Sequence, residues 1–329
     1  LGDAGAHGVA SPDTGGSGLG ARAALIAEAD LWIPITVGAA LFQTWRTALQ
    51  QKLRGALSAD GAAFVRFLYG APSAAVLLAL WSLATVSLPP APHASFLALC
   101  ATGGVFQILG TSLLIRSFGY RNFAVGTAYS KTEAVQGAVA AWIILSESLT
   151  PIAWLGIAVG AGGVLTLSLP KGGITVGAFL RSSVQPAALC GLGAGGAFAL
   201  SAVLFKMANF TLDGPDVILR ALATLLATNI LQTLIMGAWL ARREPEQLRL
   251  AISTWRSSGL VGVLSACGSA CWFSAFALAP VALVRALGQV EMVFTLAFSR
   301  LYLREVVRRE DVIGLVLVVI GVVLILLGR

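Results

Sequence analysis

Apolar residues along the chain gather in runs of about 20, the length that carries a helix across a bilayer. Ten such runs lie at 32–51, 61–84, 95–116, 122–145, 152–169, 187–208, 216–240, 258–278, 281–302 and 311–328. Strand-like alternation is absent, and backbone in lipid must satisfy its hydrogen bonds within its own segment, so the runs read as helices rather than barrel strands. The expected fold class is an all-α polytopic membrane protein with ten transmembrane helices. Residues 1–31 break the pattern: "LGDAGAHGVASPDTGGSGLGARAA" is rich in Gly, Ala and Ser and reads as a flexible tail. It lacks the basic start and apolar core of a signal peptide.

Composition strengthens the membrane assignment. Of the 329 residues 57% are hydrophobic and only 11% charged, with a mean hydropathy of +0.86. Soluble domains carry about 25% charge, so this chain has too little to cover a globular surface in water. The formal net charge of +7 is placed unevenly. Loops after odd-numbered runs hold Lys52, Arg54, Arg121, Lys171, Arg181, then Arg242, Arg243, Arg249, Arg256, Arg304, Arg308 and Arg309, whereas loops after even-numbered runs hold no Lys or Arg. The positive-inside bias puts the odd loops in the cytoplasm and both termini on the outer side. The basic surplus is thus a topology signal, and nucleic acid is not an expected partner. Four cysteines, Cys100, Cys190, Cys267 and Cys271, lie inside apolar runs and read as small packing residues rather than a disulfide framework.

The two halves repeat one another. At an offset of 158, Gly104 meets Gly262, Gly110 meets Gly268, Phe118 meets Phe276 and Ala128 meets Ala286. The register continues through Glu133 and Glu291, Glu147 and Glu305, Gly156 and Gly314, and Gly163 and Gly321. Each half holds five runs, an odd number, so the second half is expected to enter the membrane from the opposite side. Inverted repeats of this kind are the skeleton of many secondary transporters. The domain plan is a tail (1–31), a first five-helix repeat (32–169), a linker (170–186) and a second repeat (187–329).

The stretches "VRFL", "LSESLTPIAWLGIAVGAGGVL" and "YLREVVRREDVIGLVLVVIGVVLIL" resemble the drug/metabolite transporter superfamily, in its EamA-like bacterial branch. Its pattern closes each repeat on a Glu followed by a "G…GV" helix, matched by Glu147, Gly156, Gly163 and by Glu305, Gly314, Gly321. The resemblance covers about residues 32–328. It implies a bacterial inner-membrane carrier, with export common among relatives and substrates ranging over amino acids, nucleotide sugars, phosphorylated sugars, choline and drugs.

Ionisable residues inside the runs include Arg46, Arg66, Lys131, Glu133, Lys206, Arg220, Arg285 and Glu291. Each costs about 2.5–3.5 kcal/mol at a helix centre, so each needs a partner or water. Arg46, Arg66, Lys206 and Arg220 lie near run ends, where they either snorkel to an interface or pair inside. The expected pairs are Glu133 with Arg46 or Arg66, and Glu291 with Lys206 or Arg220. Both glutamates admit a structural or a proton-coupling role. Thr127 and Lys131 stand one helical turn apart, as do their counterparts Arg285 and Gln289, giving each half a polar face toward a central cavity. The glutamates fall about 200° round the helix from 131 and 289, toward neighbouring helices. Tyr129, Gln43, Gln107 and Trp272 complete the substrate-lining candidates, with Trp45 and Gln136 as further polar or aromatic positions. A cationic midplane cavity favours an anionic or amino-acid-like solute.

No P-loop or metal-ligand spacing is present, so no cofactor is expected and energy would come from a proton or an exchanged solute. A membrane enzyme acting on a lipid-linked substrate is the second reading. Against it, the outer loops hold few catalytic residue types: Asp213, Asp216, Glu147 and His93. A channel, or a carrier for cationic or neutral drugs, is a further alternative. Gly156 and Gly160, spaced as small-xxx-small, mark either a dimer face or internal packing; monomer and dimer both remain open.

Overall fold

The computed structural model describes residues 30–53, 56–117, 129–168, 185–302 and 309–328. Every regular element among them is helical. The first half supplies α1 (Trp32–Leu53), α2 (Ala59–Leu68), α3 (Gly70–Thr85), α4 (Ala94–Ser117), α5 (Glu133–Leu145) and α6 (Pro151–Ser168). The second supplies α7 (Pro186–Thr211), α8 (Val217–Arg243), α9 (Pro245–Ser253), α10 (Trp255–Leu278), α11 (Val281–Leu287), α12 (Glu291–Tyr302) and α13 (Arg309–Leu327). The tail at 1–29, most of the expected linker, Thr127 and Glu305 lie outside the described residues.

Local chemistry places the helix ends. Proline opens α6, α7 and α9, where a missing N–H costs nothing. Ser58 caps α2 by accepting from the Gly61 N–H, and Asp216 caps α8 by accepting from the Ile218 and Leu219 N–H groups at 2.9 Å. α2 and α3 together span Ala59–Thr85, divided at Tyr69. Pro72 lies in the first turn of α3 and cannot donate to the carbonyl four residues back, which accounts for the division.

Among the described residues five helical segments are long and apolar enough to cross a bilayer: Ala59–Thr85 (α2 and α3 together), Ala94–Ser117, Pro186–Thr211, Val217–Arg243 and Trp255–Leu278. Shorter apolar helices cover Glu133–Leu145, Pro151–Leu167 and Val312–Leu327. The expected fourth and ninth runs are not continuous. The fourth turns at Lys131–Thr132 before α5, and the ninth passes through a 3₁₀ turn at Gly288–Val290 between α11 and α12. Large apolar side chains face outward, with Leu83 at 77% exposure and Ile143 at 68%, while alanines such as Ala39, Ala141 and Ala202 are fully buried. An apolar exterior around a small-residue interior is what packing within lipid produces. This is a multi-pass membrane protein.

The halves exchange contacts reciprocally. α1 packs on α10 and α4 on α7, while α6 packs on α13. Along α4 and α7 the neighbours run in opposite order, Gly103 beside Phe205, Gly110 beside Phe198 and Leu113 beside Gly193, so the two helices are antiparallel. α6 and α13 are also antiparallel, meeting at Gly156 with Gly321 and at Gly163 with Gly314. These pairs interconvert under the 158-residue offset, as a two-fold axis between the halves requires. Gly156 and Gly160 are therefore spent on the contact between halves: a Cβ at Gly156 would lie 2.8 Å from the Gly321 carbonyl oxygen, and one at Gly160 would lie 3.9 Å from the Gly321 Cα.

Candidate functional site

A cavity of about 460 Å³ opens between the halves, with a smaller one of about 70 Å³ beside it. Six residues border both: Gln43, Lys131, Glu133, Trp272, Arg285 and Glu291. They come from α1, the turn before α5, the first residue of α5, α10, α11 and α12, so the site is assembled from both halves. Gln107 also borders the larger cavity and Gln289 the smaller.

The helix breaks explain how the glutamates enter. An unbroken helix would turn positions 133 and 291 away from 131 and 289. The turn at Lys131–Thr132 and the 3₁₀ segment at Gly288–Val290 cancel that 3.6-residue phase. Both glutamates then face the cavity together with Lys131 and Arg285, contrary to the sequence expectation. Gly288 permits the second break to pack tightly: the Trp272 ring lies against it where any side chain would stand.

The ion pairs also differ from those expected. Glu133 meets Arg285 of the opposite half at 2.7 Å, rather than Arg46 or Arg66. Glu291 accepts a hydrogen bond from Gln43 Nε2 at 2.6 Å, rather than pairing with Lys206 or Arg220. The Gln43 Oε1 accepts from Trp272 Nε1 at 3.1 Å, so one amide ties α1 to α10 and α12. Arg285 lies over the faces of Trp272 and Phe276, 5.2 and 5.0 Å from the ring centroids. The expected pairings assumed that charges would be met within a repeat, whereas the short distances run across the interface.

Lys206 pairs with Glu147 at 2.6 Å and donates to the Ala279 carbonyl at 2.7 Å. Glu147 also accepts from the Val281 N–H at 2.8 Å, at the start of α11. This cluster joins both halves at one end of the bundle. Trp81 Nε1 donates to Asp216 at the same end, 2.8 Å away, and the Thr150 hydroxyl donates to the Gly328 carbonyl. Arg220 lies outside the cavity, where it donates weakly to the Leu212 carbonyl at 3.4 Å and stands over Phe210.

The other candidates are distributed as follows. Gln107 Oε1 accepts from Gln232 Nε2 at 2.7 Å. Gln289 reaches over Gly160. Tyr129 is buried beside Ala188 and Leu192, away from the cavity lining. Trp45 faces outward at 52% exposure, and Gln136 donates to Thr132 Oγ1 at 2.8 Å. Arg46 and Arg66 border the larger cavity. Sequence reasoning missed the lining hydroxyls Thr47, Ser130, Ser265 and Ser269 and the aromatic wall of Phe198, Phe205, Phe273 and Phe276. The spacing of Gln43, Arg46, Thr47 and Gln50, three and four residues apart, carried part of that signal.

No curated protein matches the chain. A solved structure described only as "Crystal structure of protein" is similar in fold, with a TM-score of 0.65 at 16% identity, covering 91% of this chain and 98% of its own. The model of the EamA-like transporter family matches residues 30–169 and again 185–327, once for each half. With both repeats matched and the same two halves packed around one polar cavity, the chain belongs to the EamA-like transporter family, within the drug/metabolite transporter superfamily.

Proposed function

We propose that the protein is a secondary active transporter that moves a small polar metabolite, anionic or amino-acid-like, by alternating access. In this reading ten segments cross a bacterial inner membrane as two inverted five-helix units, and the solute binds between them. The observation that carries it is the shared neck of the two cavities, where residues from both halves converge and the broken helices present charge. Lys131, Arg285, Gln289, Gln43, Gln107 and Trp272 face the solute; Thr127 belongs to the same repeat position as Arg285. Around the larger cavity the cations Arg46, Arg66, Lys131 and Arg285 stand against the carboxylates Glu133 and Glu291, a surplus of two positive charges. That balance favours an anion over a cationic drug.

Residues Gln50 and Ala59 take the larger cavity close to the Leu57–Ser58 loop, an end rich in arginine. The opposite end is held by the Lys206–Glu147 cluster. With odd loops in the cytoplasm and the termini outside, this is an inward-facing arrangement. Glu133 and Glu291 supply carboxylates for proton coupling if the cycle uses one, and an exchanged solute serves the same purpose. No ATP site or catalytic constellation enters the scheme.

Counterflow in proteoliposomes tests the function. Vesicles preloaded with an unlabelled organic anion or amino acid should accumulate the labelled solute transiently. Uptake confined to cations, unaffected by Lys131→Ala, would overturn the anion reading. Product formation from a lipid-linked substrate without solute movement would replace transport with catalysis.

A further inference from the structure

α1 turns Gln43, Arg46, Thr47 and Gln50 onto the larger cavity, and α2 turns Ala59, Ala62, Ala63 and Arg66 onto it. Both sets follow the spacing i, i+3, i+4, i+7, so each forms one continuous helical stripe. The three alanines leave open space along the stripe that ends at Arg66.

The two arginines at these stripes are unlike the other cavity cations. Arg285 is paired with Glu133 and covered by two aromatic rings. Lys131 shares the field of that same Glu133. Among the described residues Arg46 and Arg66 each bury an Nε without a hydrogen-bond partner, as Arg285 also does, but neither has a carboxylate within 4 Å, and Arg66 stands over the single ring of Phe67 at 4.9 Å. They stand near enough to repel one another. The carboxylate whose field reaches Arg46 is Glu291, and its Oε2 already accepts from Gln43. Two guanidinium groups facing one low-dielectric cavity, neither of them in an ion pair among the described residues, form an incomplete site.

We propose that Arg46 and Arg66 form a two-arginine subsite that binds the oxyanion of a soluble ligand, a carboxylate or a phosphate, inside the larger cavity. The planar forks of arginine match such oxyanions by paired hydrogen bonds. The remainder of the ligand extends toward Trp272 and Phe276, which stack on one another with ring centroids 5.8 Å apart. This deepens the carrier reading and rests on it: the subsite assigns the anionic end of the solute to α1 and α2 rather than to Lys131 and Arg285.

The test uses the purified full chain in neutral detergent micelles. Its thermal midpoint is followed against inorganic phosphate and against acetate, at ionic strength held constant with chloride. Saturable stabilisation of the unaltered protein is expected, with apparent affinity falling at least about tenfold in Arg46→Gln and in Arg66→Gln, as loss of one charge-assisted contact predicts. Arg242→Gln, at an exposed helix end, should leave the titration unchanged. If the glutamine variants fail to fold, Arg46→Lys and Arg66→Lys serve instead; they keep the charge, lose the fork and should still bind several-fold more weakly.

Stabilisation that persists in the arginine variants, or that rises without saturation and equally in all proteins, overturns the subsite. A shift produced by phosphatidylglycerol added to the micelles, but by neither soluble anion, overturns it as well. Counterflow separates the two claims. Transport with an arginine-independent titration removes the subsite alone, whereas an arginine-dependent titration without transport of any solute removes the carrier reading alone.

Discussion

Among single residues, Glu133 and Arg285 carry the most consequential contact between the halves. Their 2.7 Å pair is largely withdrawn from water, with side-chain exposures of 20% and 16%. Truncating one member of such a pair strands the other, which typically costs about 3–5 kcal/mol. Glu133→Gln should therefore lower the thermal midpoint markedly, as should Arg285→Gln. The double substitution should be milder than the two losses combined, because it leaves no stranded charge. A cycle with strictly additive losses, measured by thermal unfolding in detergent, would show that the pair contributes no coupling. The presence of these charges was legible from sequence, since an ionisable group in a 20-residue apolar run must be served by something. Their partners were not. Glu133 and Arg285 are 152 positions apart in sequence, and the turn at Lys131–Thr132 resets the helical phase that an unbroken run implies. A composition rule cannot see a break made by two residues whose own helix propensities are ordinary.

At the scale of elements, the crossing of α6 and α13 follows most directly from sequence. Equivalent glycines at 156 and 314, and at 163 and 321, lie at one constant offset. Antiparallel packing brings each against the counterpart of the other, with helix backbones in contact. The sequence leaves Gly156 and Gly160 to either a dimer face or internal packing; in the structure both lie against Gly321 of the opposite half. A side chain at Gly163 would place its Cβ 2.7 Å from the Gly314 oxygen and the Val318 nitrogen, whereas one at Gly162, a single position away, meets nothing within 4 Å. Gly163→Ala should thus force the helices apart and cost about 1–3 kcal/mol, the usual range for overpacking. Gly162→Ala should be neutral or slightly stabilising, since alanine is the better helix former. Equal thermal midpoints for the two variants would refute this close approach. The broken elements were less legible. α11, the 3₁₀ turn and α12 read as one apolar run because hydropathy registers burial and not hydrogen-bond pattern, and the Gly288 contact with Trp272 depends on a residue 16 positions earlier.

Across the whole molecule, an exchange-symmetric scaffold supports an asymmetric interior. The pairings α1 with α10, α4 with α7 and α6 with α13 treat the halves alike, yet the polar contacts at the two ends do not. One end is joined by Lys206 with Glu147, Trp81 with Asp216 and His93 with the Thr211 carbonyl at 2.8 Å. At the other, Ser58 donates from its hydroxyl to Glu244 at 2.7 Å and from its N–H to Gln247 at 2.8 Å, beside the mouth marked by Gln50 and Ala59. A two-fold scaffold with unequal ends is how a carrier presents one site to one side at a time, because exchanging the roles of the halves would open the joined end and close the other. If the arginine-rich end faces the cytoplasm, a reporter cysteine there and one at the joined end must respond oppositely to an impermeant maleimide. In a background lacking Cys100, Cys190, Cys267 and Cys271, Leu88→Cys, at 91% exposure in the joined-end loop, should label in intact cells. Glu246→Cys, exposed on α9, should label only after permeabilisation. Thr47→Cys, within the cavity, should follow Glu246→Cys and be slowed by whichever soluble oxyanion stabilises the protein. Labelling of Glu246→Cys from outside while Leu88→Cys is protected would reverse the orientation, and the cavity would then open away from the cytoplasm.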